Sequence, residues 1–366
     1  MPWRARATLY MLSVMEGRAT GPLAWLMRFI LACGVPVYWL GLRWSRATTR
    51  PHRLSCPVIS VGNLTVGGTG KTPVVAWLAG RLQRAGRHVG ILTRGYGRAI
   101  GSTGLVDLDG VADPAACYGD EPVWLARQLP GVPVLVGSDR AANAHGALRH
   151  RGVDLLILDD GFQHWALARD LEIVILDGDR PFGIGRLLPL GTLREPVSAL
   201  RRAQIILVRQ TADASLSLDE LRDQIHRRGV TAPVVPIRYR PTAVDEPLAG
   251  RSRDVASLSG LRVRLLSAVG QPRAFASQVQ ALGAQVAAHD CYPDHYVYTA
   301  ADVRRWNGDS QTTPLLTTEK DWMRLEPLAR ATPPAAPLLV LHIVVELVNP
   351  DDDTLIADRL ARLRRR

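Results

Sequence analysis

Two short stretches of this chain hold residues whose types and spacing could do chemistry. Residues 61–78 read VGNLTVGGTGKTPVVAWL, a glycine-rich turn that ends in Lys71-Thr72 and enters an apolar helical pattern. Strand, glycine turn, lysine and helix, in that order, make a phosphate cradle, although Thr65 stands where the pattern G-x-x-x-x-G-K-[ST] has its first glycine. Across Thr65, Val66, Gly67, Gly68, Thr69, Gly70, Lys71 and Thr72, backbone N–H groups can turn inward around phosphate oxygens because glycine tolerates the dihedrals this needs. Lys71 then reaches the β and γ phosphates, the Thr72 hydroxyl ligates Mg²⁺, and the start of the helix adds its positive end. The second stretch, LLILDDGFQH at residues 155–164, sets Asp159 and Asp160 directly after an apolar run. A carboxylate at the end of a strand beside the phosphate loop is where such proteins hold Mg²⁺, directly or through water. Adjacent side chains on extended backbone point to opposite faces, so one of the two is expected to face the metal and the other a hydrogen-bond network.

These groups need elements to position them. From residue 57 the pattern alternates strand and helix: β-rich runs at 58–61, 89–93, 155–158, 173–176 and 205–208, with a helical stretch at 74–84 flanked by Pro73 and Gly86. That alternation predicts an α/β fold of the phosphate-loop NTPase kind, with a mostly parallel sheet covered by helices on both faces. Around 240–262 the chain reads as polar and irregular. A second αβ set follows, with a strand at 264–269, helices at 274–282 and 300–306 and a strand at 338–345. The expected organisation is an N-terminal segment 1–56, a phosphate-loop domain 57–245 and a smaller C-terminal α/β domain 246–366.

The N-terminal segment has a different character. Residues 19–42 contain one charge, Arg28, and the uncharged run 29–42 is interrupted by Gly34 and Pro36. As a helix that run covers only ~21 Å, short of a ~30 Å hydrocarbon layer. Trp25, Tyr38, Trp39 and Trp44 lie in or beside it, and Arg43, Arg46, Arg50 and Arg53 follow. Aromatics at headgroup level beside a basic stretch suit an anchor lying in the plane of an anionic membrane surface; a true span or a helix buried in the protein are the alternatives. The closing residues 358–366, DRLARLRRR, read as a short amphipathic helix whose basic end offsets the helix dipole.

Composition narrows the partners. The 366 residues carry a formal charge of +11, which favours an anionic partner: nucleic acid, a phospholipid surface or a phosphorylated substrate. No aromatic-rich RNA motif or zinc spacing supports nucleic acid. The four cysteines show no C-x-x-C pair, which fits a reducing, cytosolic setting. Of 45 basic side chains only Lys71 and Lys320 are lysine, so each of these compact ammonium groups invites a specific explanation.

Read in order, PVISVGNLTVGGTGKTP, LTRGYGR, GDEP, LDDGFQH, LLPLGTLREP, YPDHYVYT and TTEKD give the chain a resemblance to the tetraacyldisaccharide 4'-kinases, the lipid A 4'-kinases, from the apolar N-terminus to about residue 350. The resemblance implies an enzyme on the cytoplasmic face of the bacterial inner membrane, peripheral or monotopic, with no obligate protein partner. It would move the γ-phosphoryl of ATP, with Mg²⁺, to the 4'-hydroxyl of an acylated disaccharide 1-phosphate. It also implies that the aspartate of GDEP and the histidine of PDH, here Asp120 and His295, form a catalytic pair. A sugar hydroxyl is a poor nucleophile at neutral pH and needs such a proton acceptor. With the two residues in different expected domains, domain closure would bring them together.

Smaller expectations attach to the other matched positions. Glu195 joins the Mg²⁺ shell and Arg194 meets phosphate, or the two form a salt-bridged loop pair. Gln163 and His164 bind substrate or tune the metal's surroundings, or shape a structural turn. Arg94 and Tyr96 meet the disaccharide or its 1-phosphate. Lys320 faces substrate or nucleotide, or pairs with Glu319 and Asp321. One departure from the family stands at the strand end 203–210, where Arg209-Gln210 replaces the asparagine common in that family. A rival function is a membrane-associated ATPase switch acting on a protein partner; such switches carry a lysine before the two glycines, where this chain has Val66.

Overall fold

A computed structural model describes residues 10–99, 103–210, 216–309 and 313–363; the start of the N-terminal segment and the last three arginines lie outside them. The strands, in chain order, are β1 (Val58–Asn63), β2 (Val89–Thr93), β3 (Gly104–Leu105), β4 (Val134–Val136), β5 (Leu155–Asp159), β6 (Leu171–Asp177), β7 (Ile205–Arg209), β8 (Val234–Glu246), β9 (Arg251–Arg253), β10 (Arg262–Ser267), β11 (Gln285–Cys291), β12 (Leu315–Thr318) and β13 (Leu338–Leu347). The chain divides into two compact units, each discontinuous in sequence: 1–71, 158–238 and 347–366 form the first, and 72–157 and 239–346 the second.

In the first unit β1 pairs with β6, β6 with β7, and β7 with the first residues of β8, all parallel. Every residue of β1, β6 and β7 is buried, as expected of parallel strands covered on both faces. The helix Leu218–His226 links β7 to β8. Its start is a capping box, with the Ser217 side chain accepting from Glu220 N and the Glu220 carboxylate accepting from Ser217 N, and it buries Leu221 and Ile225 one turn apart. These two pack with Leu64, Phe162, Val174, Leu176, Leu193 and Ile206 in the unit's core. Gly62 in β1 cannot be replaced without cost, because a Cβ there would stand 2.7 Å from the Phe162 backbone nitrogen. The loop that follows Asp159 and Asp160 is thereby laid directly on the strand that feeds the phosphate loop.

The N-terminal helix runs Pro22–Thr48, 27 residues, or ~40 Å at 1.5 Å per residue. Neither Gly34 nor Pro36 ends it, so the length reaches beyond the uncharged run at both ends; Pro36 costs one backbone hydrogen bond and is carried by the turns around it. The helix is long and apolar enough to cross a membrane by length and composition, with a mean hydropathy of 1.6 over its most apolar window, and only 6% of that window is buried. That exposure rules out a helix enclosed by the protein. Among its docking contacts, the Tyr38 hydroxyl donates to Arg194 O at 2.8 Å, Gly34 lies against the Pro189 ring, and the Arg46 guanidinium sits 5.1 Å from the Trp165 ring centroid.

In the second unit β2 and β4 pair in parallel, with the short β3 antiparallel to β4. A further parallel set has the order β11-β10-β12-β13, with the helices Pro272–Ala281, Ala300–Asp309 and Glu319–Ala331 as its successive crossovers. Its core holds Val263, Leu265, Phe275, Val279, Leu316 and Leu339. The stretch 240–262 is more regular than its polarity predicts, since β8 continues to Glu246 and turns back into β9. Cross-strand polar pairs support that hairpin, Ser252 Oγ to Asp245 at 2.6 Å and Arg253 to Glu246 at 2.7 Å. β9, Arg251–Arg253, is exposed throughout, so no apolar alternation marks it. The C-terminal helix is Asp352–Ala361, centred earlier than residues 358–366, of which the arginines 364–366 are outside the described residues.

Candidate functional site

Each unit gathers one set of chemistry-bearing side chains. In the first, β1 ends at Asn63, which is fully buried. Its side chain donates to Thr65 O at 2.8 Å and accepts from Lys71 Nζ at 3.3 Å, so one amide ties the two ends of the glycine turn together. Gly67 and Gly70 take φ values of 110° and 76°, where an L side chain would be strained. The Thr69 side-chain oxygen is buried without a hydrogen-bond partner among the described residues. A buried hydroxyl aimed into a glycine loop and an ammonium at its end suit phosphate oxygens, so these residues fit the group the motif implies. Thr72 follows Lys71 in the first turn of the helix Lys71–Arg84.

The carboxylates stand where the strand pattern places them. Asp159 ends β5 and is 2% exposed. Asp160 takes φ 51°, left-handed for a non-glycine residue. Its carboxylate lies 3.4 Å from Lys71 Nζ and accepts from Arg194 Nη1 at 2.9 Å to both oxygens. Arg194 arrives because the loop carrying it runs along the glycine turn: Val66 N donates to Thr192 O (2.8 Å) and Arg194 N to Leu64 O (2.9 Å). A Lys71, Asp160, Arg194 chain of alternating charge results. Gln163 extends it, accepting from Arg194 at 3.3 Å and donating to Asn63 O and Glu195 Oε1, each at 3.1 Å.

Glu195, 2% exposed, has both oxygens engaged by the Arg202 guanidinium at 2.9 Å. Arg202 also covers the Phe162 and Trp165 rings. Glu195 thus holds Gln163 and pairs with Arg202, while the adjacent Arg194 pairs with Asp160. His164 lies in the turn below, its N–H donating to Gly161 O and its carbonyl accepting from Arg169. Arg209, at the departure from the family pattern, is buried and pairs with Asp177 across β6 and β7 at 3.0 Å.

The second unit holds Asp120 and His295, with His295 Nδ1 3.4 Å from Asp120 Oδ1. The pair is therefore assembled inside one unit and needs no domain closure, because helix Asp120–Gln128 and the loop after β11 are both bound by the helix Glu319–Ala331. Asp120 opens its helix after Gly119, whose φ is 95° and whose added Cβ would lie 2.7 Å from Tyr96 O. That close approach sets the loop bearing Tyr96 beside the pair, and the Tyr96 ring lies 4.8 Å from the His295 ring, centroid to centroid. Arg94 sits on the same loop, its carbonyl accepting from Arg98. His295 takes φ 60°. Its loop is fixed by an aromatic nest in which Tyr292 stacks on Tyr296 at 4.6 Å, and Tyr298 and Trp306 close it edge-on.

Sequence reasoning missed Arg324. Its Nη2 bonds Asp120 Oδ2 and lies 3.2 Å from His295 Nδ1. Burial alone would raise the carboxyl of Asp120, but the neighbouring His295 and the Lys320 and Arg324 charges outweigh it and hold it well below the usual carboxylate range. The available signal was the i, i+4 spacing from Lys320 on one helix.

A family model described as tetraacyldisaccharide-1-P 4'-kinase, LpxK, matches residues 19–362. The tetraacyldisaccharide 4'-kinase of Anaeromyxobacter dehalogenans strain 2CP-C is 42% identical over 316 residues, 85% of this chain and 83% of that protein. The protein of the same name from Syntrophus aciditrophicus is 39% identical over 332 residues, 84% and 88% of the two chains. The crystal structure of the "apo" form of LpxK from Aquifex aeolicus in complex with ATP superposes with a TM-score of 0.70 at 28% identity, covering 92% of this chain and 99% of that one. The α/β architecture is thus shared along nearly the full length, and the chain belongs to the tetraacyldisaccharide-1-P 4'-kinase family.

Proposed function

We propose that the chain transfers the γ-phosphoryl group of ATP to the 4'-hydroxyl of a tetraacylated disaccharide 1-phosphate, in line with its family. The observation that carries this reading is the charge chain Lys71, Asp160, Arg194 at the end of a glycine loop whose buried Thr69 hydroxyl has no partner among the described residues. Backbone N–H groups of 65–72 and the Lys71 ammonium grip the triphosphate, and Arg194 takes up part of the charge that develops on the transferred group. Thr72, Asp159 and Asp160 would hold Mg²⁺, which would supply positive charge against the negative charge of the phosphates. Glu195 serves that shell by keeping Gln163 in place.

On the acceptor side, Asp120 takes the proton of the 4'-hydroxyl as the new bond forms. A loose phosphoryl transition state asks for an aligned acceptor more than for a strong base, which suits a carboxylate held at low pKa. His295 borders Asp120 and orients the hydroxyl, with Tyr96 over its ring; Arg94, Gln163 and His164 contact the sugar or its 1-phosphate. The exposed Trp25, Phe29, Val37 and Trp44 of the N-terminal helix support residence at the cytoplasmic face of an anionic inner membrane, where the acyl chains of the substrate lie. The protein-switch reading lacks its lysine at Val66.

The test is transfer of label from γ-labelled ATP to the tetraacylated disaccharide, beside a de-acylated one, for the parent protein and for Lys71→Ala and Asp120→Ala. Both variants are expected to lose about 10²- to 10⁴-fold in turnover with unchanged circular dichroism. Near-parent turnover in either removes the role assigned to that residue.

A further inference from the structure

Lys71 has its place in the phosphate loop, whereas the chain's other lysine, Lys320, has entered so far through its charge near Asp120 alone. Lys320 and Arg324 are one turn apart on the helix Glu319–Ala331 and so project to the same side. Lys320 Nζ lies 2.9 Å from Glu121 Oε1 and 3.4 Å from Asp294 Oδ1. Arg324 bonds Asp120 and reaches His295 Nδ1 at 3.2 Å. Two consecutive residues at the start of one helix, 120 and 121, are thus tied to two consecutive residues of one loop, 294 and 295, by two cations on a third element.

That third element is itself well seated. Thr318 caps it by accepting from Asp321 N, and the buried Asp321 carboxylate accepts from Ala268 N at 3.1 Å and Thr318 Oγ1 at 2.8 Å. Farther along, Gln128 donates to Glu319 at 2.6 Å and Arg127 pairs with Glu326, which docks it against the Asp120–Gln128 helix. A rigid helix carrying two adjacent cations is a positioning device of the kind an acid–base pair needs.

We propose that Lys320 and Arg324 form a two-cation clamp that sets the spacing of Asp120 and His295 and fixes which nitrogen of the His295 ring is bare. This rests on the reading of Asp120 and His295 given above. A guanidinium has donors and no acceptor, so Arg324 Nη2 facing Nδ1 requires a lone pair there and puts the ring proton on Nε2. Without Arg324, Nδ1, 3.4 Å from Asp120 Oδ1, would carry the proton and donate it to Asp120. The charged or titratable groups around the pair are Glu121 beside it, Asp294 and Tyr96 from the loops, and Lys320, Asp321 and Arg324 from the clamp helix. A lysine at 320 suits its task because one compact ammonium spans Glu121 and Asp294, where a planar fork would need more room. Lys320 and Arg324 are positioning residues: they act through Asp120 and His295.

The full-length protein with ¹⁵N-labelled histidine gives a direct readout. In the parent the His295 ring is expected to show a bare Nδ1 and a protonated Nε2, and the reverse in Arg324→Met. Arg324→Met and Lys320→Met are expected to lower kcat about 10- to 100-fold while KM for ATP stays within about twofold. Arg324→Lys, still a donor, should recover part of the loss and keep Nδ1 bare. A protonated Nδ1 in the parent overturns the clamp even if no variant folds. Folded Met variants with parent kcat also overturn it. If those variants and Asp120→Ala all turn over normally, the failure belongs instead to the reading of the pair.

Discussion

Arg194→Met removes a guanidinium that bonds both oxygens of Asp160, at 2.9 Å each. Hydrogen bonds to charged groups contribute about 1.5–3 kcal/mol, but the Asp160 side chain is 35% exposed and solvent screening cuts this to about 1–2 kcal/mol. The loss falls on the site and hardly on the fold, because Asp160 keeps Lys71 at 3.4 Å. With its stronger partner gone, Asp160 holds Lys71 more tightly, and Lys71 leaves the loop less readily for phosphate. The expected result is a fall in kcat/KM for ATP of roughly 5- to 30-fold, measured by initial-rate transfer to the acylated disaccharide at saturating lipid. Arg194→Lys should recover only part, since an ammonium cannot make the two-oxygen contact. A kcat/KM for Arg194→Met within about twofold of the parent, with the protein folded, refutes the reasoning that the charge chain governs the phosphate loop.

Trp25→Ser, Phe29→Ser and Trp44→Ser together strip exposed aromatics from the N-terminal helix and leave the Tyr38 contact to Arg194 O intact. Partition into anionic vesicles should drop while KM for ATP stays unchanged, and unaltered sedimentation with vesicles would end the anchor proposal. His342 lies between Glu319 at 2.7 Å and Asp245 at 2.8 Å. Burial tends to lower its pKa, yet the two carboxylates outweigh burial and raise it above 6.5. Its stabilising effect is therefore full below 6.5 and is lost as pH rises through the raised folded value. Thermal melting followed from pH 6 upward should show a decline that His342→Gln flattens; a parallel decline in that variant counts against the assignment.

The elements that position the chemistry were legible wherever burial imposed a period. The mostly apolar runs of β1, β5, β6 and β7 read as strands buried on both faces, and the glycine turn between strand and helix followed from local stereochemistry. The β8–β9 hairpin was not legible, because its polar outward side looks like loop when neighbours are unknown. The site divides along the same line. Lys71, Asp159 and Asp160 announce themselves by adjacency to a strand end or a glycine loop. Arg324 and Arg202 act through contacts with residues 204 and 7 positions away, and in a chain with 45 basic side chains the i, i+4 spacing of Arg324 from Lys320 is a weak mark of which arginine is chosen. Asn63 was within reach: a fully buried amide closing an apolar strand must find partners, and the glycine turn is the nearest supply.

Asp160 and His295 show why the rule for adjacent carboxylates gave only half an answer. Among the described residues they are the two non-glycine residues with positive φ, at 51° and 60°, each following an acidic residue, Asp159 and Asp294. A left-handed residue breaks the alternation of extended chain, so the side chain after the break is no longer sent to the face opposite its predecessor. Such a conformation costs of order 1–3 kcal/mol and persists only when the surroundings over-determine it. In both places an arginine from elsewhere in the same unit does so, Arg194 on Asp160 and Arg324 on His295 and Asp120. The contact that offsets the strain is also the one that orients the side chain, so backbone strain and side-chain placement at these two positions are a single device. A substitution that removes either arginine therefore lets the side chain relax away from the geometry its chemistry requires, even where most of the fold's packing is untouched.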